Sequence, residues 1–322
     1  MYSIIFSRKQ GNIHLVLLDK QGEVSQQGVF TDSLEKEFKP SQIKEVIFHF
    51  WREKENTNFL VDFEEIDSVH QLIYPQDVGR FPLDIPTLSK KKSIEKSQLV
   101  HYEAILYPFK YSLDEPFVLL WTDEWCYAID TVDEASILHD LPSSTYFYPH
   151  TDSQLGRVSC IFGGNEHDRH LKHLSEYFGK DPMEFKKLTY NFQLVRSLRE
   201  RFKQATPDKT SLDFLMDCPF VERDLNAFKS FEEAYNQFIL DLVAQQVASL
   251  RLIWPKTPTR KLVVAGKFAY NELFMTGLAE AFFDKVVFAA EKPFLPEIGI
   301  WLKGKKNSIS IQEKDLRLKR YF

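Results

Sequence analysis

The segment Lys261–Phe283, KLVVAGKFAYNELFMTGLAEAFF, constrains the fold most, because an apolar β-type run breaks at Ala265-Gly266 and restarts with helical spacing. A strand that becomes a helix through a glycine is a building step of α/β sheets. It also presents unpaired backbone N–H groups at a helix start, a ready anion site that Gly266 would let a ligand approach. The strand Lys285–Ala289 follows, so strand, helix and strand make a βαβ unit with a parallel pair. Asn271 opens the helix and reads equally as a first-turn residue or a ligand contact.

A chain of 322 residues is too long for one typical core and fits two domains. The first half is strand-rich and the second helix-rich, which puts the expected division at 1–150 and 151–322. Cys126, Cys160 and Cys218 are odd in number and lack metal spacing, so they read as buried structural thiols in a reducing interior. The opening MYSIIFSRKQGN is unlike a signal peptide, and nowhere do eighteen apolar residues run together. A cytoplasmic protein without a membrane span is expected. The net charge of −5, with acids and bases interspersed, offers no basic face for nucleic acid.

Period-2 runs at Ser3–Ser7, Ile13–Asp19 and Val24–Phe30, with a turn at Gln21-Gly22, predict a β-meander. Further strands are expected at Ile43–Phe50 and Asn58–Val61, and a helix over Phe63–Ile73 whose start carries Glu64, Glu65 and Asp67. Pro75, Pro82, Pro86 and Lys90–Lys92 punctuate a loop, and Phe117–Trp121 and Trp125–Asp130 form a strand pair. Leu141–Gly164 reads as turns. Beyond it, Asp168–Phe178, Met183–Phe202 and Ser230–Ile253 have helical spacing. His167, His170 and His173 step along the first of these as a solvated face, since six residues rotate a helix too far for three rings to converge on one metal.

In this order, an opening meander with a Gly turn, a central strand pair with an acidic loop, and a long helix before strand, Gly, helix and strand resemble the actin-like, sugar-kinase and Hsp70 superfamily. Leu262–Leu302 is most similar to its carbamoyltransferase and sugar-kinase branches: Gly266 stands for the first Gly of a Gly-Gly pair, Asn271 for an Asn after it, and Pro296–Gly299 for the element closing on adenosine. Val100–Ala104 and the loop Thr122-Asp123-Glu124-Trp125 are similar to carbamoyltransferase motifs. The resemblance implies a two-domain α/β actin-like ATPase (ribonuclease H-like) fold with a cleft between the domains. It implies ATP and Mg²⁺ as cofactors, Gly11, Gly266, Lys267, Asn271 and Gly299 as nucleotide-binding residues, and Asp123 as the catalytic residue.

The chain also departs from that pattern. The first hairpin, Ser7–Gly11, lacks an acid, Thr122–Trp125 lacks glycines, and Lys267 holds the second Gly position, where it meets a phosphate as a point charge or fills the pocket with its stem. Ile300 and Trp301 follow Gly299 where small residues are expected, and His101 has Ile105 in place of a second His. Asp123 reads as a metal or base residue or as a turn Asp bonded to its own backbone. Two functions stay open: an ATP-dependent phosphotransferase or carbamoyltransferase-like enzyme acting on a small molecule, and a catalytically inactive relative serving as a binding or scaffold protein.

Overall fold

The computed structural model describes residues 2–9, 12–31, 66–73, 95–113, 115–131, 145–149, 155–204, 215, 217–254, 260–304 and 313–322. Two compact units emerge, Met1–Asp114 with Pro293–Asp315, and Glu115–Lys292 with Leu316–Phe322. This division differs from the break at 150 because the strand pair expected in the first domain hydrogen-bonds into the second unit's sheet.

In the first unit, β1 (Tyr2–Lys9), β2 (Asn12–Leu18) and β3 (Val24–Thr31) form the antiparallel meander, with Ser3 opposite Leu18 and Lys9 opposite Asn12. At its turn, Asp19 Oδ1 accepts from the N–H groups of Gln21 (2.8 Å) and Glu23 (3.0 Å), and Gly22 supplies a φ of 80°. Two parallel strands, β4 (Ile66–Ile73) and β5 (Glu95–Val100), complete the order β3-β2-β1-β4-β5. Single helical turns α1 (His101–Ala104) and α2 (Tyr107–Lys110) follow.

The strand β4 corrects the helix expected over Phe63–Ile73, and Asp67 therefore lies in a strand. Ile66, Val69 and Ile73 mimic helical spacing, but β-branched residues also favour a strand. What hid it is a polar inner face: Ser68 and His70 are buried, Ser68 Oγ donates to Ser3 Oγ at 2.7 Å, and His70 Nε2 lies 2.9 Å from Ser68 Oγ. The strands expected at Ile43–Phe50 and Asn58–Val61, and the loop with Lys90–Lys92, lie outside the described residues.

In the second unit, β6 (Phe117–Thr122), buried at all six positions, is the centre of the sheet. It pairs antiparallel with β7 (Cys126–Asp130) and parallel with β10 (Lys261–Gly266). The supposedly turn-rich stretch after Leu141 instead contains a hairpin, β8 (Thr145–Pro149) with β9 (Leu155–Ile161). Helix α3 (Gly163–Phe178) follows. The single helix expected over Met183–Phe202 is a 3-10 turn, Pro182–Lys187, and α4 (Phe192–Arg201), because Asn191 breaks the run and caps α4 by accepting from Leu194 N at 3.1 Å.

Helix α5 (Phe231–Ile253) is capped by Ser230, whose Oγ accepts from Glu233 N (3.2 Å), while Glu233 Oε2 accepts from the N–H of Lys229 (3.0 Å), the residue before the cap. It buries Ala234, Phe238, Leu242 and Leu250 in the unit's main core with β6, β10 and α6 (Glu272–Ala281). Strand β11 (Val286–Ala290) lies parallel to β10, and the sheet order is β12-β11-β10-β6-β7-β9-β8, with β12 (Leu318–Tyr321) antiparallel at the edge. Within it, β9-β7-β6-β10-β11 repeats the order and strand senses of β3-β2-β1-β4-β5. Cys126 and Cys218 are buried and all three thiols are free.

After β11 the chain returns to the first unit as α7 (Leu295–Gly304), which buries Ile298, Ile300, Trp301 and Leu302 against Ile5, Val16 and Leu18. A Cβ on Gly22 would lie 2.6 Å from the Trp301 ring, and one on Gly299 would run into the carbonyl oxygen of Ala104. Gly299→Ala is therefore expected to cost about 3 kcal/mol. Gly179→Ala serves as the comparison, since its Cβ meets nothing within 4 Å and only the φ of 62° opposes it, about 1 kcal/mol. Urea midpoints of the two variants check the difference.

Candidate functional site

The second unit's site is built where β6 and β10 end side by side. Thr122 Oγ1 donates to the Ala265 carbonyl (2.7 Å) and accepts from Phe268 N (2.9 Å), which bends the chain out of β10 into a 3-10 turn, Lys267–Tyr270. Gly266, at φ 89° and ψ −148°, sits opposite Thr122, and a Cβ there would run into the Thr122 carbonyl oxygen. The glycine thus answers a close approach within the protein itself. Asn271 then caps α6, its Oδ1 accepting from Phe274 N at 3.0 Å.

The turn between β6 and β7 holds Asp123, half-buried, whose N–H donates to the Trp125 carbonyl at 3.2 Å. Helix α3 starts against this turn: Asn165 N donates to the Glu124 carbonyl at 3.1 Å, and a Cβ on Gly164 would run into the Asp123 carbonyl. Glycines absent from the turn are supplied from outside it by Gly163-Gly164, a pair visible in the sequence but not connected to the loop by spacing.

Beside the Lys267 turn lies a cavity of about 590 Å³, a size usual for small-ligand sites. Lys267 and Asn271 line it, with Phe185, Tyr190, Phe268 and Tyr270 among its aromatic walls. Gly266, the chain neighbour of Lys267, and Asp123 do not line it, Gly299 belongs to α7 of the first unit, and Gly11 lies outside the described residues.

The wall residues that sequence reasoning missed are His167 and Tyr235. His167 and His170 are buried, correcting the solvated histidine face, and only His173 of the three is exposed. His170 pairs with Glu166 at 3.2 Å. The Asn271 amide Nδ2 donates to Tyr235 Oη at 3.0 Å, so the Tyr235 proton goes to His167 Nε2, 3.2 Å away. That leaves the His167 proton on Nδ1, facing Asp168 Oδ1 at 3.3 Å. Asp168 also takes the Lys267 ammonium. Burial holds the His167 pKa below its usual range and pushes the Tyr235 hydroxyl up. The hydrogen bond from His167, then the Lys267 charge, lowers Asp168 to about 2.

A comparison with protein-family models finds no match, and a comparison with curated proteins finds none either. Among solved structures, the chain is similar to a carbohydrate kinase from Novosphingobium aromaticivorans, with a TM-score of 0.66 over 99% of this chain and 93% of that one, at 12% identity. The fold is that of the actin-like sugar kinases. A ligand-bound xylulose kinase from Lactobacillus acidophilus gives a TM-score of 0.62 at 10% identity over 100% of this chain and 93% of that one. A gluconate kinase from the same organism gives 0.61 at 10% identity, with 100% and 94% covered. The repeated strand order of the two units is this actin-like architecture. Among the described residues, no helix is long and apolar enough to cross a membrane.

Within the actin-like second unit the polar wall of the cavity makes stability depend on pH. His167 is neutral in the fold, with a pKa below 6.5, so below pH 6.5 the unfolded chain binds the extra proton and stability falls with pH. The slope reaches at most about 1.4 kcal/mol per pH unit and ends once the pH passes the folded-state pKa. Asp168, depressed from 3.8, loses its contribution only in more acid solution, between 3.8 and about 2. Melting curves from pH 7 to 5 are expected to show a fall in Tm that His167→Gln reduces.

Proposed function

We propose that this chain is a divergent ATP-dependent phosphotransferase of the actin-like type, with the nucleoside held in the cavity of the second unit. The observation that carries the reading is the cavity itself, about 590 Å³ at the junction of β10 and α6, with aromatic walls and the amide of Asn271. Aromatic faces suit a nucleobase, and Lys267 offers a cation to phosphate oxygens. The kinase likeness of the fold supports the same class of ligand. In this reading Asp123 binds Mg²⁺, which would neutralise phosphate charge, or accepts the proton of the acceptor hydroxyl. The residues before it contribute rigidity: Thr122 fixes the strand end from which Asp123 projects.

Carbamoyl transfer is the less favoured version. The position one turn after buried His101 is buried Ile105, which cannot ligate a metal.

A second reading, nucleotide binding without turnover in a scaffold protein, is favoured by one specific observation. The close approaches at Gly164 and Gly266 are filled by the carbonyls of Asp123 and Thr122, where backbone open to a phosphate would serve transfer better.

Mg-ATP is expected to raise Tm by a few degrees at millimolar concentration, since ligand at a hundredfold over its Kd stabilises by about 2.7 kcal/mol. Thr189 is an exposed residue of the cavity wall, so Thr189→Trp is expected to block the shift without harming the fold. No shift in the wild type sinks both nucleotide readings. Phosphoryl transfer to a panel of sugars that falls about a hundredfold or more in Asp123→Asn, with the thermal shift retained, supports the enzyme. A shift with no turnover selects the scaffold.

A further inference from the structure

The Lys267–Asp168 pair joins two elements far apart in sequence, the turn after β10 and the first turns of α3. Only one member faces the cavity. Lys267 lines it, whereas Asp168 is not one of its wall residues. Both side chains reach water, Lys267 at 32% exposure and Asp168 at 62%, so exchanging partners buries no charge. The lysine stem is flexible and its ammonium carries three donors, so it can turn from one oxygen anion to another.

Asp168 cannot leave by protonation near neutral pH. Its carboxylate is also held by the Nδ1–H of His167, itself fixed by Tyr235 and Asn271. The charge count then matters. Lys186 and Lys267 line the cavity with Glu272, a formal balance of 2 − 1 = +1, and counting Asp168 brings it to zero. Glu272 is turned to the loop before α4, where its Oε2 accepts from Tyr190 N at 3.3 Å.

We infer that Asp168 is a specificity-determining residue of this cavity, which competes with the phosphate group of a ligand for the Lys267 ammonium. This rests on the nucleotide reading of the cavity. In the resting protein the cavity is near neutral and suits the uncharged nucleoside part of a ligand. A phosphate-bearing ligand must draw Lys267 away from Asp168 and also meet the repulsion of that carboxylate. Asp168 therefore sets how strongly the protein prefers a phosphorylated ligand over its bare nucleoside. Asp168→Asn removes the charge and keeps an oxygen to accept from His167.

The test is equilibrium binding of Mg-ATP, tripolyphosphate and adenosine to the full chain, its Asp168→Asn and Lys267→Gln variants and the double variant, at low and high salt. Circular dichroism and Tm check folding, with Asp168→Ser as a second neutral replacement. Asp168→Asn is expected to tighten Mg-ATP and tripolyphosphate by about fivefold, the range of an exposed ion pair, and to leave adenosine unchanged. The gain should shrink in high salt and vanish when Lys267 is Gln. Equal Mg-ATP affinity in wild type and Asp168→Asn overturns the competition and leaves the nucleotide reading standing. An equal gain for adenosine also overturns it, because the effect is then one of shape. If none of the three probes binds any of the proteins, both readings fall.

Discussion

The hydroxyl of Thr122 holds the second unit's site together. It ties the end of β6 to the end of β10 by donating to Ala265 and accepting from Phe268. Because that hydroxyl is buried, both bonds are made where water cannot compete, and losing either partner would strand a polar group in the core. The bend it imposes decides where Lys267 points, where α6 begins and so where Asn271 caps. Gly266 is the residue that makes this closeness sterically possible, since only glycine tolerates both its φ and the carbonyl opposite.

From that bend a chain of hydrogen bonds runs through Asn271, Tyr235, His167 and Asp168 to Lys267. It begins and ends on the same turn of backbone, after passing through α5 and α3. Such a closed circuit fixes each member's orientation through its neighbour, so the cavity's polar wall is preorganised. The aromatic rings around it add bulk with few torsions to freeze. His167 alone packs against Phe185, Phe238 and Phe268, with ring centroids 5.2 to 5.9 Å apart.

Much of this was legible in the sequence where local pattern and tertiary role coincide. The meander, the β6–β7 pair, α5 with its Ser230 cap, and β10 with α6 each carry a periodicity and a stop signal of their own. Lys267 and Asn271, which stand out in the sequence because they follow a glycine break, line the cavity. Two of the misses share a cause, which is burial of polar residues: β4, with Ser68 and His70 inside, reads as a helix, and the His167–His170 face of α3 reads as solvated, because their polar faces are not outward. The partnerships that bury them, Ser3 with Ser68 or Tyr235 with His167, span 65 and 68 residues and leave no mark on local spacing. Gly163-Gly164 escaped notice likewise, since its close neighbour is a turn forty residues earlier in the chain.

The return of the chain to the first unit also orders events during synthesis. Helix α7, whose Trp301 ring lies over Gly22, emerges from the ribosome only after nearly all of the second unit has been made. Until then the apolar face formed by Ile5, Val16 and Leu18 has no Trp301 or Ile300 to cover it. The second unit waits as well, because β12 joins its sheet from the far side of that same helix. The first unit therefore cannot finish folding ahead of the second, as a simple tandem domain would. Until α7 is made, that face stays uncovered.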